Sequence, residues 1–288
     1  MADIRGVRAD YESKPTIEGA GVHLRRAFGP GQVPLFDPFL MLDDFRGDDP
    51  EKYAAGFPWH PHRGIETVTY LLEGSVEHGD SMGNAGVIGP GDVQWMTAGS
   101  GVIHQEMPAG DERGRMGGFQ LWVNLPASHK MMDARYCGVT SADIPEVVED
   151  GASVRVICGS AGDASGPVTD IVTEPSYLDV RLAPDARWEH PVAPGDTVVA
   201  YVFEGAVRFG AESTDVGDSH AVLFGDGDLV AARAGGQGAR FLLLSGKPIG
   251  EPVAWGGPIV MNTNDEVRTA LDEYRNGTFV RHAAGVAP

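Results

Sequence analysis

Two pairs of potential metal ligands stand at two-residue spacing in the first half of this 288-residue chain. His60 and His62 form the first pair, and His104 and Glu106 form the second. In an extended strand alternate side chains lie on one face, so each pair presents both of its groups to the same side. Imidazole and carboxylate together suit a first-row divalent metal ion. If the two strands are neighbours, the four groups converge on one ion, and an octahedral ion would keep open positions for chemistry.

The residues around these pairs favour a metal site over a surface feature. A single pair of spaced histidines in an acidic protein is more often surface decoration. Here Pro61 and Gly64 stiffen the first pair, while Gly101 and Pro108 bracket the second. Two paired motifs that are both framed by turn residues are much harder to obtain by chance.

Other side chains near the pairs are expected to support a site without binding a metal. Glu66 lies four residues after His62 and would share its face in a regular strand. Glu66 could be a fifth ligand, a hydrogen-bond acceptor for a histidine N–H, or simply the start of the next strand, and we weigh the acceptor above the ligand. A flat aromatic-binding pocket is a further option, although more than half of its candidate residues are expected to be plain core. These candidates are Trp59, Trp95, Met96, Phe119 and Trp122.

The elements that must position these groups are short strands. The chain holds 40 glycines and 20 prolines, scattered between apolar runs such as ETVTYLLEG and GFQLWVNLP. Regular alternation of short β-branched runs with turn residues is typical of a barrel or a sandwich. DTVVAYVFEGAVRFG later repeats the order and length of ETVTYLLEGSVEHG. This internal repeat predicts an all-β fold of two similar barrels in tandem, over residues 1–130 and 131–288.

The second copy provides an internal comparison for the metal site. Aligned on the repeated turns, its positions for the two histidine pairs hold Pro191, Ala193, Arg240 and Leu242. The second barrel is therefore expected to be free of metal.

One helix is predicted near the C-terminus, because the hydrophobic period changes there. Val267, Ala270, Leu271 and Tyr274 recur at helical spacing. Thr263 and Glu266, three residues apart, have the spacing of a capping box at the start of this run. Gly277 follows the run, where a glycine commonly ends a helix.

The composition of the chain limits which partners it could bind and in which compartment it is expected. The formal net charge of -19 disfavours direct binding to nucleic acid. No apolar stretch of signal-peptide or membrane-spanning type occurs, and Cys137 and Cys158 form no framework of disulfides. We expect a cytoplasmic monomer that is not bound to a membrane.

Long segments of the chain resemble the pirin family, a branch of the cupin superfamily. They are FDPFLMLDDFRG, FPWHPHRGIETVTYLLEGSVEHGDSMGN, GPGDVQWMTAGSGVIHQEMP, GFQLWVNLP and, near the C-terminus, GGPIVMNTNDEV. The resemblance implies two cupin-type (jelly-roll) barrels. It also implies one metal ion in the N-terminal barrel, with ligands that carry over to His60, His62, His104 and Glu106 without substitution. Fe(II) is the expected ion, although Mn, Cu, Ni or Zn would fit the same ligands.

The resemblance leaves two functions open. Some pirin-like proteins cleave flavonols such as quercetin with dioxygen, which implies a small aromatic substrate, O2 and Glu106 as the catalytic base. Eukaryotic pirins act as redox-responsive partners of transcription factors, which implies a non-catalytic regulatory protein with a protein partner. A different cupin reaction on another small molecule is a third, weaker option. The acidic charge and the lack of a basic localisation run count against a nuclear role.

Overall fold

The structure, a computed structural model, describes residues 2–211 and 214–281 and consists mainly of β-strands. In chain order, the strands before residue 130 are β1 (Val7–Glu12), β2 (Lys14–Glu18), β3 (Val22–Phe28), β4 (Phe39–Asp44), β5 (Phe57–His62), β6 (Ile65–Glu73), β7 (Ser75–Asp80), β8 (Ala85–Ile88), β9 (Val93–Thr97), β10 (Val102–Ala109) and β11 (Gly117–Asn124). Those after it are β12 (Arg135–Val139), β13 (Glu146–Glu149), β14 (Ala152–Cys158), β15 (Ser160–Ala161), β16 (Ala164–Ser165), β17 (Ser176–Leu182), β18 (Arg187–Pro191), β19 (Thr197–Phe209), β20 (Val216–Gly217), β21 (His220–Phe224), β22 (Leu229–Gly246), β23 (Ala254–Gly256) and β24 (Ile259–Met261). One α-helix, α1 (Asn264–Arg275), follows, and short 3-10 turns cover Pro30–Gln32, Pro50–Lys52 and Ser141–Asp143. The predicted all-β class with a short C-terminal helix is confirmed.

The chain forms two compact units that interleave in sequence. The N-terminal unit comprises Pro15–Leu35, Phe39–Ser141 and the chain from Ile249 onward. The C-terminal unit comprises the chain up to Lys14, Phe36–Pro38 and Ala142–Pro248. The limits of these compact units differ from the predicted single boundary after residue 130. β1 pairs with β21 of the C-terminal unit, and the chain from Ile249 onward joins the N-terminal unit. As a statement about folding domains, that boundary stays a prediction.

Two antiparallel sheets build the N-terminal unit. One has seven strands in the order β12-β9-β6-β11-β4-β3-β2, and the other has four strands in the order β5-β10-β7-β8. The apolar side chains between them form clusters around Leu71 and Met116 and around Ile65 and Val260. Glycines end the strands sharply: Gly74, with φ 77°, separates β6 from β7, because this left-handed conformation favours a residue without a Cβ atom.

The segment after residue 248 completes the N-terminal unit. β23 and β24 form a small hairpin, and α1 packs its buried Val267 and Ala270 against it. Thr263 caps the helix, and the capping box with Glu266 is present. Gly277 follows the helix with φ 71°. The predicted helix and both of its caps are therefore confirmed.

The C-terminal unit is built on one antiparallel sheet in the order β1-β21-β19-β22-β17-β14-β13, in which β18 pairs with β22 and β20 with β19; β15 and β16 form a separate two-stranded sheet. The interior of this unit is filled by apolar side chains, among them Trp188, Phe209 and Phe241. At the positions aligned with the second ligand pair, Arg240 forms an ion pair with Asp179 and Leu242 is buried. That the second barrel holds no metal ion stays a prediction.

Two further expectations concern the chain as a whole. Cys137 and Cys158 are not joined by a disulfide in the structure. Within residues 2–211 and 214–281, no helix combines the length and the apolar character that a membrane crossing requires. A cytoplasmic location and a monomeric state stay predictions.

Candidate metal centre

Neighbouring strands bring the two predicted ligand pairs together. β5 and β10 are antiparallel, and His104 lies directly opposite His60. A bulge after His104 shifts the register, so that Glu106 faces Phe57. The ring centroid of His104 lies 4.4 Å from that of His60 and 5.0 Å from that of His62. The three imidazoles each offer a nitrogen within 4.8 Å of the others, so they could hold a metal ion between them.

Backbone carbonyls fix the orientation of the first two histidines. His60 Nδ1 lies 2.9 Å from the Pro58 carbonyl oxygen, and His62 Nδ1 lies 3.0 Å from that of Pro258. A carbonyl oxygen only accepts, so each Nδ1 carries the hydrogen, and each Nε2 of a neutral ring presents a lone pair. The two Nε2 atoms are 3.0 Å apart. Facing lone pairs repel, whereas adjacent ligands of one ion at about 2.1 Å would have about this separation. The donor set therefore fits a metal ion.

His104 supports the same fit. It is buried, and neither ring nitrogen has a hydrogen-bond partner within residues 2–211 and 214–281. Burial, followed by the neighbouring histidines, lowers the pKa of His104 well below its usual value. Burial likewise lowers the pKa of His62. Both rings are therefore neutral near pH 7, as metal binding requires.

Glu106 lies beside the histidine group and is held by two polar side chains. Its Oε2 atom is 3.9 Å from His104 Nε2. Thr69 Oγ1 donates to Glu106 Oε1 at 2.9 Å, and Gln120 Nε2 lies 3.2 Å from Oε2. The carboxylate thus has a defined orientation next to the imidazoles, where it could act as a fourth ligand or as a base.

A cavity of about 560 Å³ opens onto the histidine group. His60, His62 and Glu106 contribute to its wall, and most of the remaining wall is apolar. Trp122 and Trp255 line it as a stacked pair, with ring centroids 5.6 Å apart and an angle of 16° between the rings. An apolar cavity with a few polar groups at one place is the usual form of a small-molecule site.

Two buried cations anchor the segment that follows His62. Arg63 donates to the Ser100 carbonyl at 2.7 Å and the Phe279 carbonyl at 2.9 Å, and it pairs with Glu273 at 2.7 Å. Lys130 Nζ donates to the carbonyl oxygens of Gly64 and Val260 at 2.9 and 3.1 Å, and to Asn124 Oδ1 at 2.7 Å. Burial lowers the pKa of Lys130 to about 8. The C-terminal segment is thereby tied to the end of β5, the strand that carries His60 and His62.

Two expectations about neighbouring residues had different outcomes. Glu66 accepts a hydrogen bond from Thr97 Oγ1 at 2.7 Å, and its partner is not a histidine. The regular strand assumed between His62 and Glu66 is interrupted at Gly64, whose φ is 77°. Of the five residues considered for an aromatic-binding pocket, only Trp122 lines the cavity; Trp95, Met96 and Phe119 are buried core, and Trp59 is 37% exposed.

The sequence interpretation missed several residues of the site. His78, on β7 opposite Glu106, is buried with its ring centroid 5.6 Å from that of His104. The spacing of His78 and Asp80 matches that of the two ligand pairs and could have signalled it. Pro258 and Trp255 gave no signal, because they come from a segment far along the chain.

The comparisons with known proteins agree with this geometry. The model of the family "Pirin" matches residues 21–123, and that of the "Pirin C-terminal cupin domain" matches residues 177–280. The chain belongs to the pirin family. Its two cupin domains account for the internal repeat, so the predicted pair of tandem cupin domains is confirmed.

Individual pirin relatives cover almost the whole chain. A "Pirin-like protein" of Caulobacter vibrioides is 45% identical over 278 residues, which cover 96% of this chain and 99% of the relative. The human protein named "Pirin" is 40% identical over 282 residues, which cover 96% of this chain and 94% of the relative. The solved structure of a quercetin 2,3-dioxygenase from Acinetobacter baumannii has a TM-score of 0.88 at 32% identity, and covers 96% of this chain and 98% of its own.

Proposed function

We propose that this pirin is a metal-dependent dioxygenase that opens the ring of quercetin or a similar polyphenol with O2 at a mononuclear site. The observation that carries the proposal is the group of three imidazoles and Glu106 at the wall of an apolar cavity. The likeness to the Acinetobacter baumannii quercetin 2,3-dioxygenase supports it. His60, His62, His104 and Glu106 would hold one divalent ion, for which Fe(II) is our first choice and Mn, Cu, Ni or Zn are alternatives.

The bound ion would lower the pKa of a coordinated substrate hydroxyl and would supply the redox chemistry for dioxygen. The protein's own contribution begins with Glu106. It would accept the proton of that hydroxyl, and the hydrogen bonds from Thr69 and Gln120 keep its carboxylate turned towards the histidines. The chain thus provides a place for the proton within reach of the substrate.

The cavity would hold a flat aromatic substrate and exclude water from it. The paired rings of Trp122 and Trp255 form one planar surface in the wall. Aromatic surfaces of this kind stack on flat ligands at offset geometry. Val22, Leu24 and Met116 extend the apolar part of the wall.

The test is aerobic turnover of quercetin by iron-loaded protein, with carbon monoxide as the detected product. We expect His62→Ala to abolish turnover and to lower the bound metal from about one ion per chain. His23→Ala is the matched control, because His23 is an exposed histidine of the same unit. Turnover that survives in His62→Ala would refute a metal-dependent dioxygenase. Full metal binding without turnover of any polyphenol would favour the redox-responsive regulatory role instead.

A further inference from the structure

Four polar side chains form a straight row across the wall of the cavity. In the seven-stranded sheet Gln120 lies directly opposite Thr69 on one side and opposite Asp43 on the other. Asp43 in turn lies opposite Arg26. All four residues line the cavity. Because directly paired residues of adjacent strands point to one face, the row begins beside Glu106 and ends at Arg26.

The outer end of the row is a fixed group of charges. Arg26 Nε and Nη2 donate to the two carboxylate oxygens of Asp43 at 2.8 and 2.7 Å, and Nη2 also pairs with Glu18 at 2.9 Å. Asp43 is buried, whereas the Arg26 and Glu18 side chains are 20% and 42% exposed. Arg26 Nη1 has no hydrogen-bond partner among the described residues. An unused donor therefore stands beside an accessible carboxylate at the wall of an apolar cavity.

We propose that Arg26 and Glu18 determine specificity by binding hydroxyl groups at the end of the substrate that lies away from the metal. This inference rests on the proposed function for the metal-facing end of the substrate. Arg26 Nη1 would donate to one hydroxyl oxygen, and Glu18 would accept the hydrogen of a neighbouring hydroxyl. Asp43 fixes the guanidinium in position, so it is a positioning residue.

The spacing of the row matches this assignment. Gln120 contacts Glu106, and two strand steps of about 4.8 Å separate it from Arg26, which gives about 10 Å along the wall. That distance is comparable to the length of a three-ring flavonol, whose remote ring carries hydroxyls. Two carboxylates against one guanidinium also disfavour an anionic group there, so a neutral phenol is preferred to a carboxylate.

The experiment compares two flavonols that differ only in the remote ring. Quercetin carries two adjacent hydroxyls on this ring, and galangin carries none. Their dissociation constants are measured by calorimetry on metal-loaded protein under argon, where dioxygen cannot react. The variants are Arg26→Lys, which loses the planar fork, and Glu18→Gln, which alters an exposed side chain. Arg46→Lys is the matched control, since Arg46 forms a similar forked pair with Asp44, on the opposite face of β4 and outside the cavity.

We expect the wild-type protein to bind quercetin about a hundredfold more tightly than galangin, because galangin loses two hydrogen bonds to charged groups that are worth about tenfold each. Each variant removes one of these bonds, so it should lower the ratio to about tenfold while galangin keeps its affinity, and Arg46→Lys should leave the ratio unchanged. Equal binding of the two flavonols by the wild type, a ratio that survives in both variants, or absence of binding by either flavonol would overturn the inference. If the ratio behaves as expected but no flavonol is turned over in air, the proposed function fails while the specificity assignment stands.

Discussion

Removal of the Arg63 guanidinium should loosen the C-terminal segment from the end of β5, the strand that carries His60 and His62. Arg63 is buried and directly follows His62, and its three nitrogens reach Ser100, Phe279 and Glu273. The guanidinium also lies 4.2 Å from the centroid of the Phe279 ring. Arg63→Met keeps most of the apolar stem and deletes all of these interactions.

The magnitude follows from what the substitution leaves behind. Each hydrogen bond from a charged donor contributes about 1.5–3 kcal/mol, and two carbonyl oxygens would lose such a donor. The burial that lowers the pKa of Arg63 shows that its charge carries a desolvation cost, which offsets part of this loss. The Glu273 carboxylate is 21% exposed and also pairs with Arg281, so the loss of its ion pair with Arg63 adds little. We therefore expect the free energy of unfolding to fall by about 4 kcal/mol.

Urea unfolding of metal-free protein, followed by tryptophan fluorescence, measures this effect. Four of the five tryptophans belong to the N-terminal unit, so the signal reports mainly on the unit that contains Arg63. Arg275→Met is the control, because Arg275 forms an exposed pair with Asp272 and should contribute less than about 1 kcal/mol. A loss in Arg63→Met no greater than in this control would refute the role given to Arg63. Metal affinity should fall as well, since Pro258 orients His62 from the same segment.

Three further substitutions test the support of the site. Lys130→Met should lower the free energy of unfolding by about 2–4 kcal/mol, because three buried oxygen atoms lose their donor. The unfolded chain holds more protons than the folded one between the folded pKa of about 8 and the ordinary lysine pKa of 10.5. The stability of the wild type relative to this variant should therefore rise with pH across that window, and a flat difference in denaturation experiments would contradict the assignment. Gly64→Ala should be far more destabilising in thermal melts than Gly250→Ala, although both glycines have positive φ. An added Cβ at Gly64 would lie 2.0 Å from the Val260 carbonyl oxygen, whereas an added Cβ at Gly250 would meet open space. Thr69→Val should weaken metal binding about tenfold in competition with a chelator, whereas Thr69→Ser keeps the hydroxyl that binds Glu106 and should bind as the wild type does; equal affinities in the two variants would exclude this role.

The spacing of residues along the chain was sufficient to predict those features that depend only on residues close in sequence. The two-residue spacing of His60 with His62 and of His104 with Glu106 predicted shared faces, and the structure brings these pairs together on β5 and β10. The capping box of Thr263 and Glu266 predicted the start of the helix, because its hydrogen bonds span only three residues. The prediction for Glu66 shows the limit of this reasoning, since one left-handed glycine changed the direction of the chain.

The sequence by itself determined the class of fold, the duplication and the ligand types, because each follows from periodicity or from residue chemistry within a short window. Only the tertiary structure decided which distant groups support them. The Pro258 carbonyl reaches His62 across 196 positions, and the row from Thr69 to Arg26 depends on the pairing of four separate strands. Strand register between remote segments is fixed by the packing of the whole unit, and a short window of sequence does not contain it.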